Sequence, residues 1–135
     1  MNCSGCHVES ITTASNPSAF IPPTVGGTPL TKNVNAALAG VTYHPFSDFL
    51  MHDMGSMGDG VNDNASLGDV GGPTMMLTMP LWGIRGRDVF LHDGRVTDVT
   101  RAIILHDGQG KAAAQAFQAL NPAQQQQVVD FIETL

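Results

Sequence analysis

The sequence predicts a mostly α-helical domain with long irregular loops, and three observations carry that class. From Thr97 onward, apolar residues recur at helical spacing. Before Thr97, most of the 15 Gly and 8 Pro break any regular pattern, so that part reads as loop. The chain also opens on Cys3-Ser4-Gly5-Cys6-His7, a run with a specific chemistry that would need wrapping by such loops.

Two thiols three positions apart, followed at once by an imidazole, suit covalent attachment of a c-type haem. The sulfurs of Cys3 and Cys6 add across the porphyrin vinyl groups, and His7 is then held against the iron as proximal ligand. Structural zinc normally takes four ligands, usually with a second cysteine pair, and this chain has 2 Cys in all. A thioredoxin-like pair needs a βαβ context, which the residues after His7 do not offer. The expected cofactor is therefore one haem c, covalent through Cys3 and Cys6, and the expected fold is cytochrome c-like.

A chain of 135 residues is one domain's worth, so residues 1–135 are expected to form a single c-type haem domain. No run of apolar residues is long enough for a membrane span. The formal charge of −6 argues against a nucleic-acid partner. Haem c is attached outside the cytoplasm, which predicts a periplasmic or otherwise extracytoplasmic location. Met1-Asn2 leaves no room for a leader, so an upstream segment is expected to have preceded this start.

In chain order, residues 8–31 are Pro- and Gly-rich and read as loop over a haem edge. Residues 32–41 predict a short helix ending at Gly40. Residues 43–54 predict another, with Ser47 as N-cap and Phe46, Phe49 and Leu50 as its apolar face. Residues 55–73, rich in Gly and Asp without a period, predict an exposed loop; the EF-hand pattern for calcium is absent. Residues 75–91 are apolar but broken by Pro80, Gly83 and Gly86, and predict extended chain lining a pocket.

The helical third follows. Thr97 is the expected cap of a helix in which Val99, Ala102, Ile103 and His106 share the buried face. Residues 111–120 predict a second helix with Ala113, Ala116, Phe117 and Leu120 inward. Asn121 should cap a third, with Pro122 at its first position. Its apolar stripe is Val128, Phe131, Ile132 and Leu135.

A haem iron built for electron transfer takes a second strong ligand, which tunes its potential. Candidates are His44, His52, His92 and His106, with Met51, Met54, Met57, Met75, Met76 and Met79. A methionine is more often core filling. His106 lies on the buried face of its helix and far from His7 in sequence, and is the first choice; Met54 is the runner-up.

The runs YHPFSDFLMHDMG (43–55), PLWGIRG (80–86), FLHDGR (90–95) and AIILHDG (102–108) stand in this order behind the haem motif. Together they resemble the C-terminal haem domain of the bacterial di-haem oxidoreductases, also labelled thiol oxidoreductases, relatives of the di-haem cytochrome c peroxidases. In the peroxidases an HDG run is followed fourteen residues later by an axial methionine; here that position, counted from His92, is His106. The resemblance thus also implies His106. It places His92 and Asp93 near the haem, at the propionates, although an Asp93-Gly94 turn explains them equally. Trp82 would pack on the porphyrin edge or on an electron path, with simple core packing as the alternative. Arg95, with Arg85, Arg87 and Arg101, would pair with propionates or form a solvated face.

The resemblance also implies an N-terminal haem domain and a helix before the haem motif, neither of which is in this sequence. The chain then reads as the C-terminal part of a larger di-haem architecture, its C-terminal stripe short of its usual cover. An arginine expected before PLWG is missing, and Gln109-Gly110 stands where an acidic residue is usual. Three functions follow as expectations: a one-haem electron-transfer domain, a peroxidase-like oxidoreductase acting on a small oxidant, or a haem-bearing assembly module. The partner would be a redox protein or an adjacent haem domain, with self-association through the C-terminal helix as a further expectation.

Overall fold

A computed structural model of the chain describes residues 1–15, 24–25, 28–29, 38–60 and 72–135. Its described helices are α1 (Val99–Ile104), α2 (Lys111–Gln118) and α3 (Pro122–Ile132), all in the C-terminal third. Before them run six short strands: β1 (Ile11–Thr12), β2 (Thr24–Val25), β3 (Thr28–Pro29), β4 (Thr42–Tyr43), β5 (Met51–Asp53) and β6 (Met75–Leu77). They pair antiparallel as β1–β4, β2–β3 and β5–β6, with Ile11 opposite Tyr43 and His52 opposite Met76. The expected mostly α, cytochrome c-like class is therefore corrected: the fold is mixed, with a β-paired, loop-rich half set against a small helical cluster.

The reason lies largely in residues 43–54, where a helix was expected and none forms. Ser47 does not cap; it is fully buried, donates to the Thr78 carbonyl at 2.7 Å and accepts from the Phe49 N–H at 2.9 Å. Asp48 likewise accepts from the Leu50 N–H at 2.9 Å. Short polar side chains that bond their own backbone two residues on close turns in place of a helix. Phe46 and Phe49 consequently sit at φ 51° and 56°, a left-handed conformation that costs side-chain-bearing residues about 1–3 kcal/mol each. The following segment then leaves as strand β5 and finds β6, so Met75–Leu77 is a paired strand where unpaired extended chain was expected.

The expected helix at 32–41 and the loop at 55–73 lie largely outside the described residues; Gly55–Met57 forms one 3-10 turn.

The helical third follows its sequence more closely. Asp98, not Thr97, caps α1: its carboxylate accepts from the Arg101 N–H at 2.6 Å, and a carboxylate satisfies the orphan helix donors as a hydroxyl would. Phe117 is fully buried and packs with Val99 and Val129. Ile103, Ile104, Leu120, Val128 and Ile132 close around them. Ala114 is the buried alanine of α2, while the expected Ala113 and Ala116 are half-buried. On α3 the buried residue is Val129, which the expected stripe omits; Phe131 is 55% exposed and meets Phe46 edge-on at 6.0 Å. The stripe is thus rotated by one position, and Val128 and Ile132 flank the core.

Asn121 caps α3 as expected, in a full capping box with Gln124. Gln125 reaches back to the Phe117 carbonyl at 3.1 Å and so satisfies the end of α2. Asn121→Ala should therefore lower stability by about 1 kcal/mol, within a usual range of about 0.5–2 kcal/mol. Denaturant melts of the two proteins check this.

Candidate functional site

The haem-motif residues form a tight turn, because the His7 and Cys6 amides both return to the Cys3 carbonyl, at 2.9 and 3.3 Å. Residues 45–50 dock directly on that turn. The Ser47 N–H donates to the Val8 carbonyl and the Asp48 N–H to the Cys6 carbonyl, each at 2.9 Å. The left-handed Phe46 aims its carbonyl at His7, whose Nδ1 lies 2.9 Å away. Behind this layer the Leu81 N–H donates to the Pro45 carbonyl at 3.1 Å. The loop that failed to become a helix is thus the wall that holds His7.

His106 arrives from the other side, at the end of α1. Its Nδ1 lies 2.8 Å from the Ala102 carbonyl, one turn back. The two imidazoles lie side by side with ring centroids 6.5 Å apart and planes inclined by 55°. A carbonyl only accepts, so each Nδ1 carries its proton and each Nε2 keeps a free lone pair. A carbonyl that accepts from Nδ1–H is the usual device for fixing the orientation of a metal-binding histidine. An imidazole–metal bond is about 2 Å long, so two opposed rings on one metal have centroids about 6 Å apart. The residues present fit a metal held between His7 and His106.

Burial lowers the pKa of His7, opposed by the Phe46 carbonyl, and His106 lowers it further. A neutral imidazole is the form that binds a metal. Burial, then the Asp48 carboxylate, pushes the Cys6 thiol up. Asp48 itself pairs with His52 at 2.7 Å. Burial pushes its carboxyl up, but hydrogen bonds from the Leu50 amide, His52 and Thr78 outweigh that and hold it below the ordinary carboxylate range. Ligand atoms of Cys6, Asp48 and His52 lie within 4.8 Å of one another. Sequence reading missed this group, because the pairing of Asp48 with His52 depends on turns that no periodicity announces.

A second layer ties the His106 end of α1 to the turn after β5. The Asp107 carboxylate accepts from the Ser56 hydroxyl at 2.7 Å and meets the Lys111 ammonium at 3.3 Å. The Ser56 hydroxyl first, with backbone N–H donors and Lys111, holds that carboxyl far below its ordinary range. Gln109 accepts from the Asp53 N–H at 2.8 Å.

Of the other sequence candidates, Met54 lies close to His106, while Trp82, His92 and Arg95 stand apart from the pair. Met54 is half-buried beside His106, with its terminal methyl at the same gap over Gly110. Trp82 is 48% exposed, tilted against Tyr43 at 6.0 Å, and donates Nε1–H to the His44 carbonyl. His92 and Arg95 sit on an exposed turn closed by the Phe90–Val96 bridge, and the Arg95 guanidinium pairs with Asp93. The pairing with Asp93 is the turn-forming use of these residues. Arg85 and Arg87 border a cleft of about 230 Å³ that also holds Asp98 and Glu133. Among the described residues no helix is long and apolar enough to cross a membrane.

Comparison with curated proteins and with solved structures gives no match. A family model does match, over residues 1–135, and its description reads "Di-haem oxidoreductase, putative peroxidase". With haem in the family's own description and the paired histidines in the fold, the chain belongs to the di-haem oxidoreductase family.

Proposed function

We propose that this chain is a one-haem electron-transfer domain, whose haem would be attached through Cys3 and Cys6 and whose iron would be held by His7 and His106. The observation that carries the reading is the histidine pair at 6.5 Å, each Nδ1 spent on a backbone carbonyl. When bound, the haem supplies one-electron chemistry at iron. With both His7 and His106 as its ligands, that iron would favour outer-sphere transfer over reaction with a small oxidant.

The residues' work is positioning. The Phe46 and Ala102 carbonyls set both ring orientations, so neither imidazole must reorient when the iron changes charge. Cys3 and Cys6 would fix the porphyrin to the turn that presents His7. Attachment would also take Cys6 out of the group with Asp48 and His52, since its sulfur would no longer be available as a thiolate; that pair then serves to hold the 45–50 wall. The partner is a redox protein or an adjacent haem domain, in an extracytoplasmic compartment.

The family's description favours one rival, a peroxidase-like role. That role needs an open iron position, so a high-spin, five-coordinate spectrum supports it.

Attachment is tested on the haem-loaded chain after denaturing electrophoresis. Haem stain should stay with the polypeptide through acid–acetone extraction, and Cys3→Ala with Cys6→Ala should abolish it. Stain that leaves with the solvent overturns covalent attachment.

A further inference from the structure

Gly110 has no conformational reason to be glycine. Its φ of −81° and ψ of −13° are ordinary helical values that any residue adopts. It ends the 3-10 turn Gly108–Gly110 that runs straight into α2, and no side-chain cap is made there.

Space explains the choice. A Cβ on residue 110 would lie 3.1 Å from His106 Cβ, 3.2 Å from His106 Cδ2 and 3.4 Å from the Met54 methyl. Cδ2 is bonded to Nε2, so pressure on that carbon moves the one ring nitrogen left free. The ring cannot simply swing away, because Nδ1 is tied to the Ala102 carbonyl at 2.8 Å and the backbone beyond it is clasped through Asp107 and Gln109. Interiors are packed densely enough that displacements of this size are transmitted to the next group.

We infer that Gly110 is a positioning residue for His106: the missing Cβ is the gap that lets the imidazole stand beside His7. The inference rests on the reading of His106 as axial ligand. It does not make Gly110 a catalytic residue, since it touches only the ligand.

The test uses the haem-loaded full chain with Gly110→Ala, Gly110→Ser and, as control, Gly86→Ala, whose added Cβ meets nothing within 4 Å. Both residue-110 variants should stay folded and melt close to the parent temperature, because the loss of a flexible glycine offsets the tighter contact. Both should nevertheless develop a high-spin fraction, shift the reduction potential, and bind cyanide about tenfold faster than the parent. Gly86→Ala should match the parent in all three. Parent-like spectra, potential and cyanide rate in the residue-110 variants overturn the inference. So does loss of folding in both, which would make Gly110 merely structural. Failure of the ligand reading is separate: His106→Ala would then keep the parent's low-spin spectrum.

Discussion

His106→Ala should convert the haem-loaded chain from six-coordinate low-spin to predominantly high-spin iron with an open axial position. The expectation follows from placement. His106 is the ring beside His7, at 6.5 Å, and alanine leaves nothing on α1 to span that gap. Added imidazole should restore the low-spin spectrum, because the cavity left is the size of the lost ring. The competitor is Met54, whose methyl shares the Gly110 gap with His106. His106→Ala is therefore paired with a His106→Ala/Met54→Ala double variant. If the single variant stays low-spin and only the double opens the iron, Met54 is the replacement ligand. If Met54→Ala alone opens the iron, the assignment of His106 is wrong. Replacing His106 with Met should keep six-coordination and raise the potential, since methionine ligation raises it.

Phe117→Ala should cost about 3–5 kcal/mol, the usual loss for deleting a buried aromatic ring. Phe117 is fully buried at the centre of the packing between α1, α2 and α3. A domain typically holds about 5–15 kcal/mol in total, so one substitution removes a large share. The same change should reach the site, because α1 packs on α2 and carries His106 at its end. Denaturant melts give the loss, and the high-spin fraction in the folded variant gives the coupling. A loss below about 1 kcal/mol would mean the three helices do not depend on this ring.

The helical third was legible because its signals are local. Asn121-Pro122 with Gln124 three residues on specifies a capping box whatever surrounds it, and the 3.6-residue period puts Phe117 inward. The half-buried place of His106 at the end of α1 was legible for the same reason, as a position on a periodic face. Residues 43–54 misled because Ser47 and Asp48 favour a helix cap and a tight turn equally by composition. The choice was made by partners distant in sequence, the Thr78 carbonyl for Ser47 and the Cys6 carbonyl for the Asp48 amide. Phe46 shows the limit most clearly. Its functional group is a backbone carbonyl turned toward His7 by a left-handed φ, and no side-chain pattern encodes it. Gly110 enters the sequence reading only through the Gln109-Gly110 departure, and its role appears once the His106 ring is placed against it.

One iron between His7 and His106 leaves its signature in the electron spin resonance spectrum of the oxidised, haem-loaded full chain. That spectrum should be of low-spin iron with two imidazole ligands, a signal lost in His106→Ala and kept in Met54→Ala. A high-spin spectrum in the unaltered chain, or the same two-imidazole signal persisting in His106→Ala, would rule the arrangement out.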